Sequence, residues 1–175
     1  DDKRYYSELK QNTTDAIKLL NKYPEITKYT TIYMDSLRDG KSSLVNTNKL
    51  LRTYSGCTGL KTGSTSQALF NLSASATRDG LSLIAVIMKG PTSAIRFDEA
   101  KTLLDYGFNN FEYRQLGIKG EKVKEIGVEK GISKTVEVVF EKDVGALIQK
   151  GQAASISQTI SLSDSIEAPI VEGEM

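Results

Sequence analysis

Histidine is absent from all 175 residues. That excludes histidine-ligated metal sites, Ser-His-Asp triads and Cys-His pairs built within this chain. Cysteine is nearly absent. Cys57 stands alone, so no internal disulfide can form, and the redox compartment stays open. In its strand-like run Cys57 reads as a small buried side chain rather than a nucleophile. A charge excess is missing too: 23 lysines and arginines face 22 aspartates and glutamates, a net +1. Composition therefore gives no reason to expect nucleic acid or an acidic membrane as partner. No apolar run reaches the roughly 18 residues a membrane span needs. No motif asks for a cofactor or a metal. The chain opens at Asp1 with neither Met nor signal peptide, and reads as a mature form or a fragment.

What is present centres on Gly59-Leu60-Lys61-Thr62-Gly63-Ser64-Thr65. Lys61 brings a cation, and Thr62, Ser64 and Thr65 bring hydroxyls. Gly59 and Gly63 allow another backbone or a ligand close to the strand. Such a stretch on a strand edge can hold a carboxylate. The ammonium supplies charge, the hydroxyls supply direction, and exposed N–H groups supply the remaining donors.

Before it, residues 1–12 are polar and weakly patterned. Thr13 or Thr14 is placed to cap a helix carrying Ala16, Ile17, Leu19 and Leu20, which ends by Pro24. Residues 26–34, rich in Ile, Thr and Tyr, favour an extended segment. Arg38-Asp39-Gly40-Lys41 reads as a turn. Residues 42–54 read as an irregular loop or a short helix.

After the central stretch, Phe70, Leu72, Ala74 and Ala76 alternate with Asn71, Ser73, Ser75 and Thr77, the pattern of a half-buried strand. Arg78-Asp79-Gly80 supplies a hairpin turn. Residues 81–88 read as a strand buried on nearly both faces. With residues 57–63 this predicts three consecutive antiparallel strands, the Lys61 strand at an edge. Pro91 and Thr92 open a helix over 92–107 whose apolar face is Ala100, Leu103, Leu104 and Phe108. The texture then turns Gly-punctuated and β-branched, predicting strands at 121–128, 134–140, 153–162 and 166–171. Turns fall at Asp143, Gly145, Lys150 and Gly151. The expected fold is α+β, an antiparallel sheet with a packed helix over residues 1–111, followed by a small all-β domain over 112–175. Glu172 and Glu174 read as a solvated end.

Taken together, Gly59 to Thr65, Phe70 to Thr77, Ile84 to Met88 and the helix Arg96 to Phe108 closely resemble the serine D-alanyl-D-alanine carboxypeptidases, low-molecular-mass penicillin-binding proteins. The resemblance holds from about Lys22 onward. It implies part of a penicillin-binding, β-lactamase-like transpeptidase domain and a small second domain. It further implies removal of the terminal D-Ala from peptidoglycan stem peptides, acylation by β-lactams, and a place in the cell envelope outside the cytoplasm. Membrane association would come only through a segment outside these residues.

By position, the resemblance makes Lys61 catalytic and substrate-binding, supporting the substrate carboxylate and a proton relay. Thr62 would hydrogen-bond that carboxylate, Gly63 would permit close approach, and the Ser64 N–H would form half of an oxyanion hole. A His often follows Lys-Thr-Gly in the family, and some members carry an Arg near Thr47; neither is present here. The nucleophile is expected upstream of this chain. The only Ser-x-x-Lys, Ser7 to Lys10, lies in a polar stretch too close to Lys61. Two other readings compete: a serine β-lactamase, against which the β-rich tail argues, and a non-catalytic module that binds cell-wall peptide or a partner.

Overall fold

The computed structural model describes residues 2–152 and 156–170. The chain divides into two units, residues 1–110 and 111–175. The first unit is organised by three antiparallel strands, β3 (Cys57–Thr65), β4 (Leu69–Arg78) and β5 (Leu81–Gly90), in that order across the sheet. Asp79 and Gly80 take φ of 48° and 79°, the left-handed pair that a two-residue hairpin requires, so Arg78 pairs with Leu81. From there the period of two places Leu72, Ala74 and Ala76 on one face, beside Ala85 and Ile87. All five are buried.

Helix α4 (Ser93–Asn110) lies on that face. Thr92 caps it, its hydroxyl accepting from the Ile95 N–H at 3.2 Å. Gly107 sets how close the helix comes, since a Cβ there would stand 2.4 Å from a Leu83 methyl. The buried stripe is Arg96, Phe97, Ala100, Leu104, Gly107 and Phe108. Leu103, expected on it, is half exposed. It lies one position round from Leu104, and the stripe follows the Phe97-Ala100-Leu104-Phe108 spacing instead.

Helix α1 (Asp2–Lys22) corrects the reading of the chain's start as polar and weakly patterned, since residues 2–12 are helical as well. Leu9, Thr13, Ala16 and Leu20, at helical spacing, are its least exposed positions along with Thr14. The threonines are not caps. Thr13 and Thr14 hydroxyls donate to the carbonyls four residues back, Leu9 and Lys10, each at 2.9 Å, so both sit comfortably in mid-helix. The helix reaches β5, where the Tyr5 hydroxyl donates to the Met88 carbonyl at 2.9 Å. The face of β4 that carries Ser73 and Ser75 is covered in part. Ser75 is 2% exposed and pairs its hydroxyl with Thr58 at 2.8 Å. On that second face only Ser75 is buried; Asn71 and Ser73 are half-buried and Leu69 and Thr77 exposed, so the half-buried pattern read from the alternation holds except at the middle of the strand.

Residues 26–34 also depart from the extended reading. A 3-10 turn (Pro24–Ile26) runs into the short helix α2 (Thr27–Thr30), and strand β1 (Met34–Leu37) starts only after it. Thr27 and Thr31 hydroxyls satisfy the carbonyls of Pro24 and Thr27, which lets β-branched residues hold a helical backbone. The turn at 38–41 is present, with Arg38, Asp39 and Gly40 at positive φ, and joins β1 to β2 (Ser42–Val45). Helix α3 (Leu50–Thr53) follows.

The second unit holds β6 (Phe111–Gly117), β7 (Lys122–Glu129), β8 (Thr135–Val139), β9 (Val144–Gln149) and β10 (Ser165–Glu167). One sheet has the order β10-β7-β8 and the other pairs β6 with β9. The expected α+β class with an all-β tail is the observed one, but the tail's strands differ. Gly145, assigned to a turn, lies inside β9. A Cβ there would sit 2.2 Å from the Tyr113 ring, so the glycine serves a close ring contact rather than a bend. Residues 156–162 are not strand, and 166–170 are strand only to Glu167. Residues 153–155, Val171, Glu172 and Glu174 lie outside the described residues.

Tyr54 offers a test of this packing. Its hydroxyl donates to Asp105 on α4 at 2.7 Å. Burial, helped by that hydrogen bond and partly offset by Arg78, pushes its pKa up to about 12. An unfolded tyrosine releases its proton near pH 10. Between about pH 10 and 12 the unfolded chain has lost a proton that the folded chain keeps, so stability falls as pH rises. Tyr54→Phe removes that slope. Denaturant unfolding of wild type and variant at pH 8 and pH 11 should show the wild-type advantage shrinking at the higher pH; an unchanged gap contradicts the buried-phenol assignment.

Candidate active site

Strand β3 is an edge of its sheet among the described residues. Its register sets Lys61 across from Ser73, Thr62 from Leu72, Gly63 from Asn71 and Ser64 from Phe70. Lys61, Gly63 and Ser64 are exposed, while Thr62 is 9% exposed. The Lys61 ammonium donates to the Thr62 carbonyl, which folds the side chain along its own strand. Ser73, its cross-strand neighbour, has a buried hydroxyl without a partner. The Thr62 hydroxyl lies 2.6 Å from that of Thr47, the two sharing one hydrogen bond.

The loop that brings Thr47 to β3 is held by its flanking asparagines. Asn48, 1% exposed, donates to the Gly59 carbonyl at 3.1 Å and accepts from the Leu50 N–H at 3.1 Å. Asn46 accepts from the Asn48 N–H at 2.9 Å. Both amides are thus spent on backbone, a local turn chemistry that short polar side chains favour. Between them Thr47 is left exposed with its hydroxyl on Thr62.

The two glycines of the stretch differ in kind. Gly59 has φ of 145°, and a Cβ there would stand 2.8 Å from Thr30. Its identity answers to packing. Gly63 has an ordinary φ, and a Cβ there would meet no protein atom within 4 Å. Nothing among the described residues requires Gly63 to be glycine.

Behind β3 stands Arg96, from the first turns of α4. It is 6% exposed, and its guanidinium lies over the Phe70 and Phe97 rings, 5.4 and 4.8 Å from their centroids. One terminal nitrogen donates to the carbonyls of Gly63 (3.3 Å) and Asn71 (3.1 Å), the other to the Ser93 hydroxyl (3.2 Å). Its Nε is buried without a partner, and burial lowers its pKa.

Ser7 and Lys10 are both exposed on α1, so the Ser-x-x-Lys spacing there lacks the burial of a nucleophile and its partner. Burial raises the Cys57 thiol pKa, which disfavours the thiolate. The described residues contain no group of three acidic or cysteine side chains able to hold a metal, and no helix long and apolar enough to cross a membrane. Sequence reasoning singled out Lys61, Thr62, Gly63 and Ser64, and the fold keeps all four on one strand. It missed the contacts of Thr47 and Arg96. A lone basic residue on the buried stripe of α4 was the available signal for Arg96.

Comparison with known proteins identifies the family. Residues 4–92 match the D-alanyl-D-alanine carboxypeptidase family, and residues 111–175 match the C-terminal domain of penicillin-binding protein 5. The D-alanyl-D-alanine carboxypeptidase DacF of Bacillus subtilis is 36% identical over 90% of this chain and 41% of its own length. DacA of Haemophilus influenzae is 33% identical over 100% of this chain and 45% of its own length. Among solved structures, penicillin-binding protein 5 of H. influenzae superposes with a TM-score of 0.65 at 32% identity, covering 89% of this chain and 46% of that one. Penicillin-binding protein 6B of Escherichia coli gives 0.56 at 29% identity, covering 77% and 36%. The chain thus spans less than half the length of these relatives, and it belongs to the D-alanyl-D-alanine carboxypeptidase family.

Proposed function

We propose that this chain is the C-terminal portion of a serine D-Ala-D-Ala carboxypeptidase, with β3 forming one wall of the cleft. Residues 1–111 would complete its catalytic domain, and residues 112–175 would form its small all-β domain. Gly63 is the observation that carries the reading. It is a glycine on an exposed strand edge that no neighbour among the described residues requires, beside a cation and the buried Thr62 side chain. Leaving out the Cβ there lets a ligand backbone approach the edge.

In this reading Lys61 attracts the carboxylate of the terminal D-Ala and supports the proton relay. The Thr62 hydroxyl, already oriented by Thr47, hydrogen-bonds the same carboxylate. The Ser64 N–H donates to the oxyanion as the acyl bond forms. The attacking serine and its base come from residues outside this chain; no residue described here has the burial and pairing that such a nucleophile needs. The partners are the peptidoglycan stem peptide and β-lactams that imitate it, met outside the cytoplasm in the cell envelope.

Penicillin labelling tests the reading. The 175-residue chain incubated with fluorescent penicillin should show no adduct by intact mass, whereas the same chain extended upstream should be labelled stoichiometrically. An adduct on Ser7 of the short chain would overturn the assignment of the nucleophile to the upstream part. In the extended protein, Lys61→Ala should slow acylation by about 10²-fold or more, as expected for losing a charge aimed at the reacting substrate in a dry cleft. Gly63→Ala separates site from fold. Its unfolding midpoint should match wild type while acylation falls about tenfold or more. Equal acylation in Gly63→Ala would mean that nothing approaches this edge.

A further inference from the structure

Arg96 is the most heavily buried cation among the described residues, and no carboxylate pairs with it. Burying an unpaired guanidinium is costly, and its partners here are backbone carbonyls and one hydroxyl. A hydrophobic side chain could fill the space between Phe70 and Phe97 without that cost. What the guanidinium does there that an apolar group could not is donate to Gly63 and Asn71.

The Gly63 carbonyl belongs to the same peptide unit as the Ser64 N–H. That unit is trans, since the cis peptides lie elsewhere at Gly59-Leu60 and Ala168-Pro169. In a planar trans peptide the C=O and N–H point in opposite directions. One Arg96 nitrogen reaches both Gly63 and its cross-strand partner Asn71, so the Gly63 carbonyl faces the β3–β4 seam. The Ser64 N–H therefore faces the free edge of β3. A cationic donor on the carbonyl also draws electron density out of the amide, which makes the N–H at its other end a stronger donor. Hydrogen bonds in chains strengthen one another in this way, the more so in a buried setting.

We infer that Arg96 is a positioning residue for the oxyanion hole, fixing and polarising the Gly63–Ser64 peptide through the Gly63 carbonyl so that the Ser64 N–H is aimed at the reacting oxygen. This deepens the carboxypeptidase reading and rests on it. Arg96 is buried, and both its terminal nitrogens are committed to protein acceptors. It acts through the backbone from the far side of the strand. The aromatic rings on which it lies and the Ser93 hydroxyl keep the guanidinium in register with the two carbonyls.

Stopped-flow acylation of the full-length protein by penicillin, with infrared spectra of the resulting acyl-enzyme ester, tests the assignment. Acylation of the wild type is the first measurement, and its failure would remove the carboxypeptidase reading itself. Given wild-type acylation, Arg96→Met should lower the saturating acylation rate by about tenfold or more, below the 10²–10³-fold of deleting an oxyanion donor outright. The penicillin dissociation constant should stay near wild type. The ester carbonyl stretch should move to higher wavenumber, because a weaker donor polarises it less. Arg96→Lys, which keeps a cation but not the fork, should fall between on both readouts, and it serves alone if the methionine variant does not fold. An unshifted carbonyl stretch, or a loss confined to the dissociation constant, would reduce Arg96 to a packing role and overturn the inference.

Discussion

The register of the β4–β5 hairpin is the constraint on which the first unit depends. Asp79 and Gly80 at positive φ force Arg78 opposite Leu81, and the pairs as far as Leu72–Ile87 follow from that one, before a bulge sets Phe70 opposite Gly90. A slip of one residue would turn Leu72, Ala74 and Ala76 away from α4 and present Ser73 and Ser75 to it. The pairing of β4 with β3 on its other side sets Gly63 beside Asn71. Only with those two carbonyls adjacent can a single arginine nitrogen reach both.

Helix α4 then joins core and site. Toward its C-terminal end Gly107 lets the helix settle against Leu83. Near its N-terminal end Arg96 crosses to the β3–β4 seam. The spacing of the buried stripe fixes where both ends fall, so the height of the helix over the sheet also sets the reach of the arginine. Thr47 approaches from the opposite direction, by a loop whose asparagines are committed to backbone partners. The strand is thus held by a helix and by a loop, and its exposed edge is left with Lys61, Gly63 and Ser64.

Much of this was legible in the sequence where one physical signal dominated. The alternation at 70–77, the Asp-Gly turn and the Pro-Thr helix start each have one strong interpretation, and each gave the right element. Reading failed where hydroxyls changed the meaning of a residue. Thr13, Thr14, Thr27 and Thr31 bond carbonyls three or four residues back, so β-branched residues that suggest strands or caps lie within helices or at their ends. Gly145 misled for a related reason. A glycine in a strand and one in a turn look alike until the ring of Tyr113 is known to press on it. The Lys-Thr-Gly stretch was visible because its residue types are unusual together. The support given by Arg96 and Thr47 was not, since both act through contacts between segments far apart in sequence.

The open side of β3 also bears on how the protein avoids its own copies. An unpaired strand edge displays a row of N–H and C=O groups that any extended chain can join, including the same edge of a second molecule. A strand that must accept a peptide cannot be capped by a permanent neighbour. Lys61 stands exposed on this strand, and two copies meeting edge to edge would bring two ammonium groups together. On the proposed reading the side chain that would attract an anionic peptide also turns away an identical strand, so solubility and recognition would be coupled at a single position.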